Sequence, residues 1–291
     1  MPSCSSRASS RPSMAATSIS SSARTALGMS DTGWDCHVHV IGDRRQFPLS
    51  PTRGYEPPHA PLDDLLGHLD RLSIARAVIV HPSVYGFDNS CLINALVGSN
   101  GRCRGIAVPD PESTQDDLSV MDRAGVRGLR CNLVNPGGLT LDQTRGWWDW
   151  MRGAGWHLQL QIDATKTDIA SLLNEPGLPP VVIDHMGYPP RGTGPEGIAP
   201  LVDAVKQGRV HVKLSAPYRI SAEPAPHRDA LALAAALLDA DPERCLFATD
   251  WPHTELAEPP MPDADWLSEI RTLAGDRWQA MQNAAEALYG R

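Results

Sequence analysis

Read for polarity alone, the chain from Thr32 onward alternates short apolar runs with longer stretches in which apolar residues recur every three or four positions. The runs predict strands at 34–40, 76–80, 104–108, 128–133, 157–162, 181–185, 211–214 and 245–249. The 3.6-type spacing predicts helices at 62–72, 90–97, 114–124, 141–154, 166–173, 198–206, 228–238 and 265–273, with a last one at 277–289. Gly and Pro punctuate the connections, as at Pro136-Gly137-Gly138 and 189–194. Eight strand–helix units in sequence are the arithmetic of a single α/β domain, a (β/α)8 TIM barrel spanning 31–291. A doubly wound open sheet is disfavoured, since no glycine-rich phosphate turn follows an early strand.

Residues 1–30 break the pattern. They hold eleven serines, three arginines and no acidic residue. That composition suits a transit peptide, but the expectation here is a disordered leader or an over-long start, with Met14 and Met29 as alternative initiators. Removing the three arginines takes the formal charge from -8 to -11, from 23 basic and 34 acidic residues. With no basic cluster, nucleic acid is an unsuitable partner. No run reaches the roughly 18 apolar residues of a membrane helix. What remains are small molecules and other proteins, a homo-oligomer among them. The six cysteines, Cys4, Cys36, Cys91, Cys103, Cys131 and Cys245, form no CxxC pair, which fits reduced core thiols in a cytoplasmic protein.

The chemistry gathers at the ends of the predicted strands, the catalytic face of such a barrel. In Asp35-Cys36-His37-Val38-His39-Val40-Ile41 the period-2 alternation puts both imidazoles on one face and Cys36, Val38 and Val40 on the other. The runs Val181 to Gly187 and Arg244 to His253 add His185 and Asp250, so His37, His39, His185 and Asp250 form one expected cluster. Arg130 alternates with Asn132 on an otherwise apolar strand, where a carboxylate ligand would offset the cost of burying a guanidinium. Ser83, Gln161, Ser215, Tyr218, Arg219 and His253 complete the strand-end set, while Asp110 before Pro111 reads as a helix cap.

The Asp-Cys-His-Val-His strand, the Val-Ile-Asp-His-Met-Gly segment and Ala-Thr-Asp-Trp-Pro-His together resemble the amidohydrolase superfamily, in its branch of lactone hydrolases acting on 2-pyrone-4,6-dicarboxylate, 4-sulfomuconolactone and sugar-acid lactones. The resemblance runs from about Thr32 to the end and includes the neighbourhood of Tyr55. It implies that His37, His39, His185 and Asp250 hold one divalent metal, zinc or manganese, or work without one. Asp250 would be the base that activates water, and the histidines or the metal would polarise the carbonyl. Arg130 matches a carboxylate-binding arginine, with Tyr55, Ser83 and Arg219 as further substrate contacts.

Three positions depart from the pyrone-dicarboxylate pattern: Pro136 and Tyr188 stand where arginines are expected, and Gln161 where a tyrosine is. A flat dicarboxylate loses part of its clamp, which favours a muconolactone-type substrate such as 4-sulfomuconolactone, from aromatic-compound catabolism. The alternatives are a 2-pyrone-4,6-dicarboxylate or sugar-acid lactonase, a metal-dependent decarboxylase of the same superfamily, and a barrel that binds without turnover. No Gly-x-Ser-x-Gly elbow supports a serine hydrolase.

Overall fold

A computed structural model describes residues 33–134, 138–256 and 261–291. The leader expected at 1–30 and the departure at Pro136 lie outside the described residues. Eight parallel strands run in sequence order: β1 Trp34–Val38, β2 Arg76–Val80, β3 Cys103–Ala107, β4 Val126–Asn132, β5 His157–Gln161, β6 Val181–Ile183, β7 Val210–Leu214 and β8 Cys245–Phe247. The ring is closed just beyond β8. There the Asp250 amide donates to the His37 carbonyl at 3.0 Å and the His39 amide to the Trp251 carbonyl at 2.8 Å.

Each expected strand is present. The helix expected at 141–154 is broken into Leu141–Thr144, a 3-10 turn Arg145–Trp147 and Trp148–Ala154. Within it Trp147 and Trp148 are buried, and half-buried Trp150 stacks edge-on against Trp156 at 5.0 Å, so these tryptophans pack inward. The expected cap at Asp110 is a turn residue instead, bonding the Glu112 amide at 2.9 Å. Thr114 caps the following helix Gln115–Ala124 in a reciprocal box with Asp117.

Two apolar layers follow from the alternation. Ala77, Ile79, Leu129, Leu158, Leu160, Val212 and Leu214 face the surrounding helices, while Val78, Val80, Ile106, Val182, Leu246 and Ala248 share a second cluster with Trp34 and Cys36. The final helix, Trp278–Tyr289, closes the N-terminal end of the ring: buried Tyr289 lies 5.7 Å from the Trp34 ring and 5.5 Å from His157. The polar ends of β4 to β8 are thereby left at the opposite mouth.

In β1 the simple alternation fails. Asp35 pairs with Ala77 but Val38 pairs with Ile79, so three steps on β1 match two on β2. The extra residue is a bulge, and it leaves Cys36 in the inner cluster as well as His37 in the site, against the expectation that they would take opposite faces. Cys36, Cys91, Cys103, Cys131 and Cys245 are buried free thiols. No described helix is long and apolar enough to cross a membrane.

Candidate active site

The strand ends deliver their side chains through strained backbone. His185 (φ 51°), Met186 (φ 54°) and Asp250 (φ 71°) occupy the left-handed region without being glycine, at the points where β6 and β8 turn away from the ring. This bend aims His185 and Asp250 back over the barrel mouth.

His37 and His39 meet there, ring centroids 5.0 Å apart, and His185 lies 4.7 Å from His37. Each imidazole is held through Nδ1: that of His37 lies 3.2 Å from Asp184 Oδ1, that of His39 is 2.8 Å from the Val80 carbonyl, and that of His185 is 2.8 Å from Ser215 Oγ. A carbonyl only accepts, so His39 carries a proton on Nδ1, and its Nε2 is the ring nitrogen turned to the site. The Nε2 atoms of His37 and His39 lie 3.6 Å and 3.5 Å from Asp250 Oδ1. Burial holds His37 well below the ordinary imidazole range despite Asp184, and pushes His185 down to about 4 despite Asp250. Both are neutral at pH 7.

Asp250 is asymmetric. Its Oδ2 accepts from Tyr218 Oη at 2.5 Å and from Arg219 Nε at 2.9 Å, while buried Oδ1 has no hydrogen-bond partner. Burial opposes ionisation here, but Arg219 and the imidazoles outweigh it and hold the carboxyl well below its usual range. Arg219 is in turn bound to Glu255 through Nη1.

Beneath the histidines lies a buried polar layer. Fully buried Lys213 sits 3.4 Å from Asp184 Oδ1 and donates to Gln159 Oε1 at 2.5 Å, and Gln159 Nε2 donates to Asp184 Oδ2 at 3.0 Å. Burial lowers Lys213 against the pull of Asp184, while Lys213 and His37 hold Asp184 well below the carboxylate range although burial opposes it. The carboxylate that positions the His37 ring is thus itself positioned, as supporting shells of metal ligands are.

Above the cluster a small open cavity is lined by His39, Tyr55, Ser83, Arg130, Asn132, Gln161, His185, Arg219, Asp250, Thr254 and Glu255. Arg130 Nη2 donates to Gln161 Oε1 at 2.6 Å, and its Nε, 3.6 Å from Asp184, has no hydrogen-bond partner. Tyr55 faces Thr254 and Ser83, and burial raises its hydroxyl pKa. Of the residues expected at the site, His37 lies below the cavity floor, and His253 lies outside the lining, its Nε2 3.1 Å from Asp263. Sequence reasoning overlooked Asp184, Lys213, Gln159 and Glu255. Lys213 carried the same signal as Arg130, a cation between apolar neighbours on a strand.

The sequence matches the amidohydrolase family over residues 34–291. The chain belongs to that family. This amidohydrolase is 34% identical over 251 residues to the 4-sulfomuconolactone hydrolase of Rhizobium radiobacter, covering 84% of each protein. It is 32% identical to the 2-pyrone-4,6-dicarboxylate hydrolase of Comamonas testosteroni, covering 81% of each. Among solved structures, a Pseudomonas putida protein provisionally named 2-pyrone-4,6-dicarboxylic acid hydrolase superposes with a TM-score of 0.75 at 33% identity, over 89% of this chain and 97% of that one. The chain is a hydrolase of this family.

Proposed function

We propose that this amidohydrolase opens a small anionic lactone of the muconolactone type, such as 4-sulfomuconolactone, in aromatic-compound catabolism. The observation that carries the reading is the pairing of an ionised carboxylate with one unpartnered oxygen, Asp250 Oδ1, and a guanidinium, Arg130, on the wall of the same small cavity.

The donor set suits a divalent cation. Ligand atoms of His37, His39 and Asp250 lie within 4.8 Å of one another, as do those of His37, Asp184 and His185. Buried His37 Nε2 and Asp250 Oδ1 have no hydrogen-bond partner, and the neutral His37 ring, its Nδ1 turned to Asp184, offers a lone pair there rather than a proton. Lone pairs and a carboxylate converging on one point suit a cation, which favours the metal-dependent form over the metal-free one. His37, His39 and Asp250 would hold the ion beside His185; when bound, zinc or manganese would supply Lewis-acid polarisation of the lactone carbonyl.

The chain's own residues account for the rest. Arg130, preorganised by Gln161, binds the substrate carboxylate with a charge-assisted bond. Asp250 accepts a proton from the attacking water at Oδ1, while Tyr218 and Arg219 fix its other oxygen. Tyr55 and Ser83, on the same lining, contact the lactone ring.

Proton release is the direct assay, run on a panel of carboxy- and sulfo-muconolactones, 2-pyrone-4,6-dicarboxylate and sugar lactones. Acid production from an anionic lactone, lost on chelation and restored by zinc or manganese, is the expected result. Carbon dioxide release, or silence across the panel with either metal added, overturns the reading.

A further inference from the structure

The cavity carries two guanidinium groups, but they are not equivalent. Arg130 has no carboxylate within hydrogen-bond distance; its nearest, Asp184, is 3.6 Å away and already faces Lys213. Arg219 is shared between two carboxylates. One is Asp250, buried, at 2.9 Å; the other is Glu255, on the loop after β8, with its side chain 41% exposed. The Tyr218 ring covers the guanidinium at 5.2 Å, which leaves the Glu255 side as its approach from the cavity.

From this asymmetry we propose that Glu255 sets the charge selectivity of the enzyme, by occupying the position on Arg219 that the second anionic group of a dianionic lactone needs. The proposal rests on the lactonase reading above and names the substrate feature that the same cavity discriminates. A first carboxylate reaches Arg130 without displacing anything. A second carboxylate or sulfonate must take Arg219 from Glu255. Asp250 cannot yield, being buried and bonded through two donors. Glu255 can, because its own side chain is 41% exposed and its carboxylate is readily rehydrated on leaving the guanidinium. Monoanionic lactones are therefore accepted as they arrive, while dianionic ones bind only by exchange with Glu255.

Glu255→Gln keeps the side chain's shape and removes its charge. The variant and the native enzyme are compared at constant ionic strength on monoanionic muconolactone and on two dianions, 4-sulfomuconolactone and 2-pyrone-4,6-dicarboxylate. The expected result is a rise of at least tenfold in kcat/KM for the dianions relative to the monoanion. A general loss of negative charge from the cavity mouth acts about twice as strongly on a dianion as on a monoanion, so a monoanion kcat/KM that rises by as much as the ratio does marks a field effect and overturns the proposal, as does an unchanged ratio. A second arm does not depend on turnover: glutarate and its monomethyl ester are titrated calorimetrically into both proteins. Glutarate should bind the variant at least fivefold tighter than the native protein, with the ester unchanged. If no lactone is hydrolysed but this binding shift appears, the lactonase reading fails and the Glu255 assignment stands. If glutarate gains nothing over its ester, the assignment fails whatever the lactone assay gives.

Discussion

Arg130→Met is the substitution that tests the anion-binding role most sharply. The residue is 8% exposed, its Nη2 is bound to Gln161 at 2.6 Å, and its Nε has no hydrogen-bond partner. Methionine fills most of the aliphatic volume and removes the charge and all donors. A hydrogen bond to a charged group contributes about 1.5–3 kcal/mol. At 1.4 kcal/mol per factor of ten, that is a rise of about 10- to 150-fold in KM for a carboxylated lactone. Arg130 is on the cavity wall and Asp250 at its floor beside the imidazoles, so binding is lost in ground state and transition state alike and kcat should move little. The substitution also strips Gln161 Oε1 of its donor, which lowers stability by about 1–3 kcal/mol and sets a separate expectation for Tm. The control is the methyl ester of the same lactone. Native enzyme and variant should turn it over with KM values within about twofold of each other, since the group Arg130 recognises is gone. A KM for the free acid that also stays within twofold, or an equal rise for acid and ester, refutes carboxylate recognition by Arg130 and leaves it a structural partner of Gln161 and Asp184.

Three further outcomes follow from the same geometry. Asp250→Asn retains the bulk of the side chain and the contact with Tyr218 but removes the base, so turnover should fall by about 10²–10⁴ with an unaltered circular dichroism spectrum; a variant keeping a tenth of native kcat rules out Asp250 as base. Lys213→Met leaves the fully buried Asp184 charge uncompensated and should cost about 3–5 kcal/mol in thermal unfolding, with Lys213→Met/Asp184→Asn recovering most of it; a single variant as stable as native would refute the pairing. Burial holds His157 down to about 3 and His211 to about 4, so below pH 6.5 the unfolded chain takes up protons that the folded one refuses. The stability these neutral rings contribute is whole above pH 6.5 and is lost as the pH falls toward 4, at about 1.4 kcal/mol per pH unit for each proton. His157→Phe should shrink the Tm difference between pH 7 and pH 5, measured by calorimetry, and an unchanged difference means that His157 titrates normally.

The order of strands and the position of the cluster were legible because both depend on short-range pattern. Apolar runs at regular spacing specify a parallel ring, and residues at strand ends in such a ring must share its mouth, so His37, His39, His185 and Asp250 were brought together before any contact was known. The orientation of Cys36 was not legible, because one bulge residue in β1 reverses the alternation and nothing in Asp35-Cys36-His37 marks it. Nor was the pairing of His253: its ring turns to Asp263, ten residues on, at the start of the helix Asp263–Ala274.

The buried layer under the histidines shows why the chemistry was read only halfway. Asp184 and Lys213 lie on β6 and β7 stretches that looked apolar, and each alone is a costly burial with no visible reason. Only their mutual approach, with Gln159 from β5 bonded to both, makes either tolerable, and that approach is a property of strand register across the ring. The same register puts Asp184 Oδ1 3.2 Å from His37 Nδ1 and so leaves the opposite ring nitrogen toward Asp250. The positions of the cluster can therefore be inferred from spacing along the chain, but the protonation pattern that would let it hold a cation depends on contacts between strands. A lysine or aspartate flanked by apolar residues on a barrel strand is the mark, in the sequence, of where such a contact must exist.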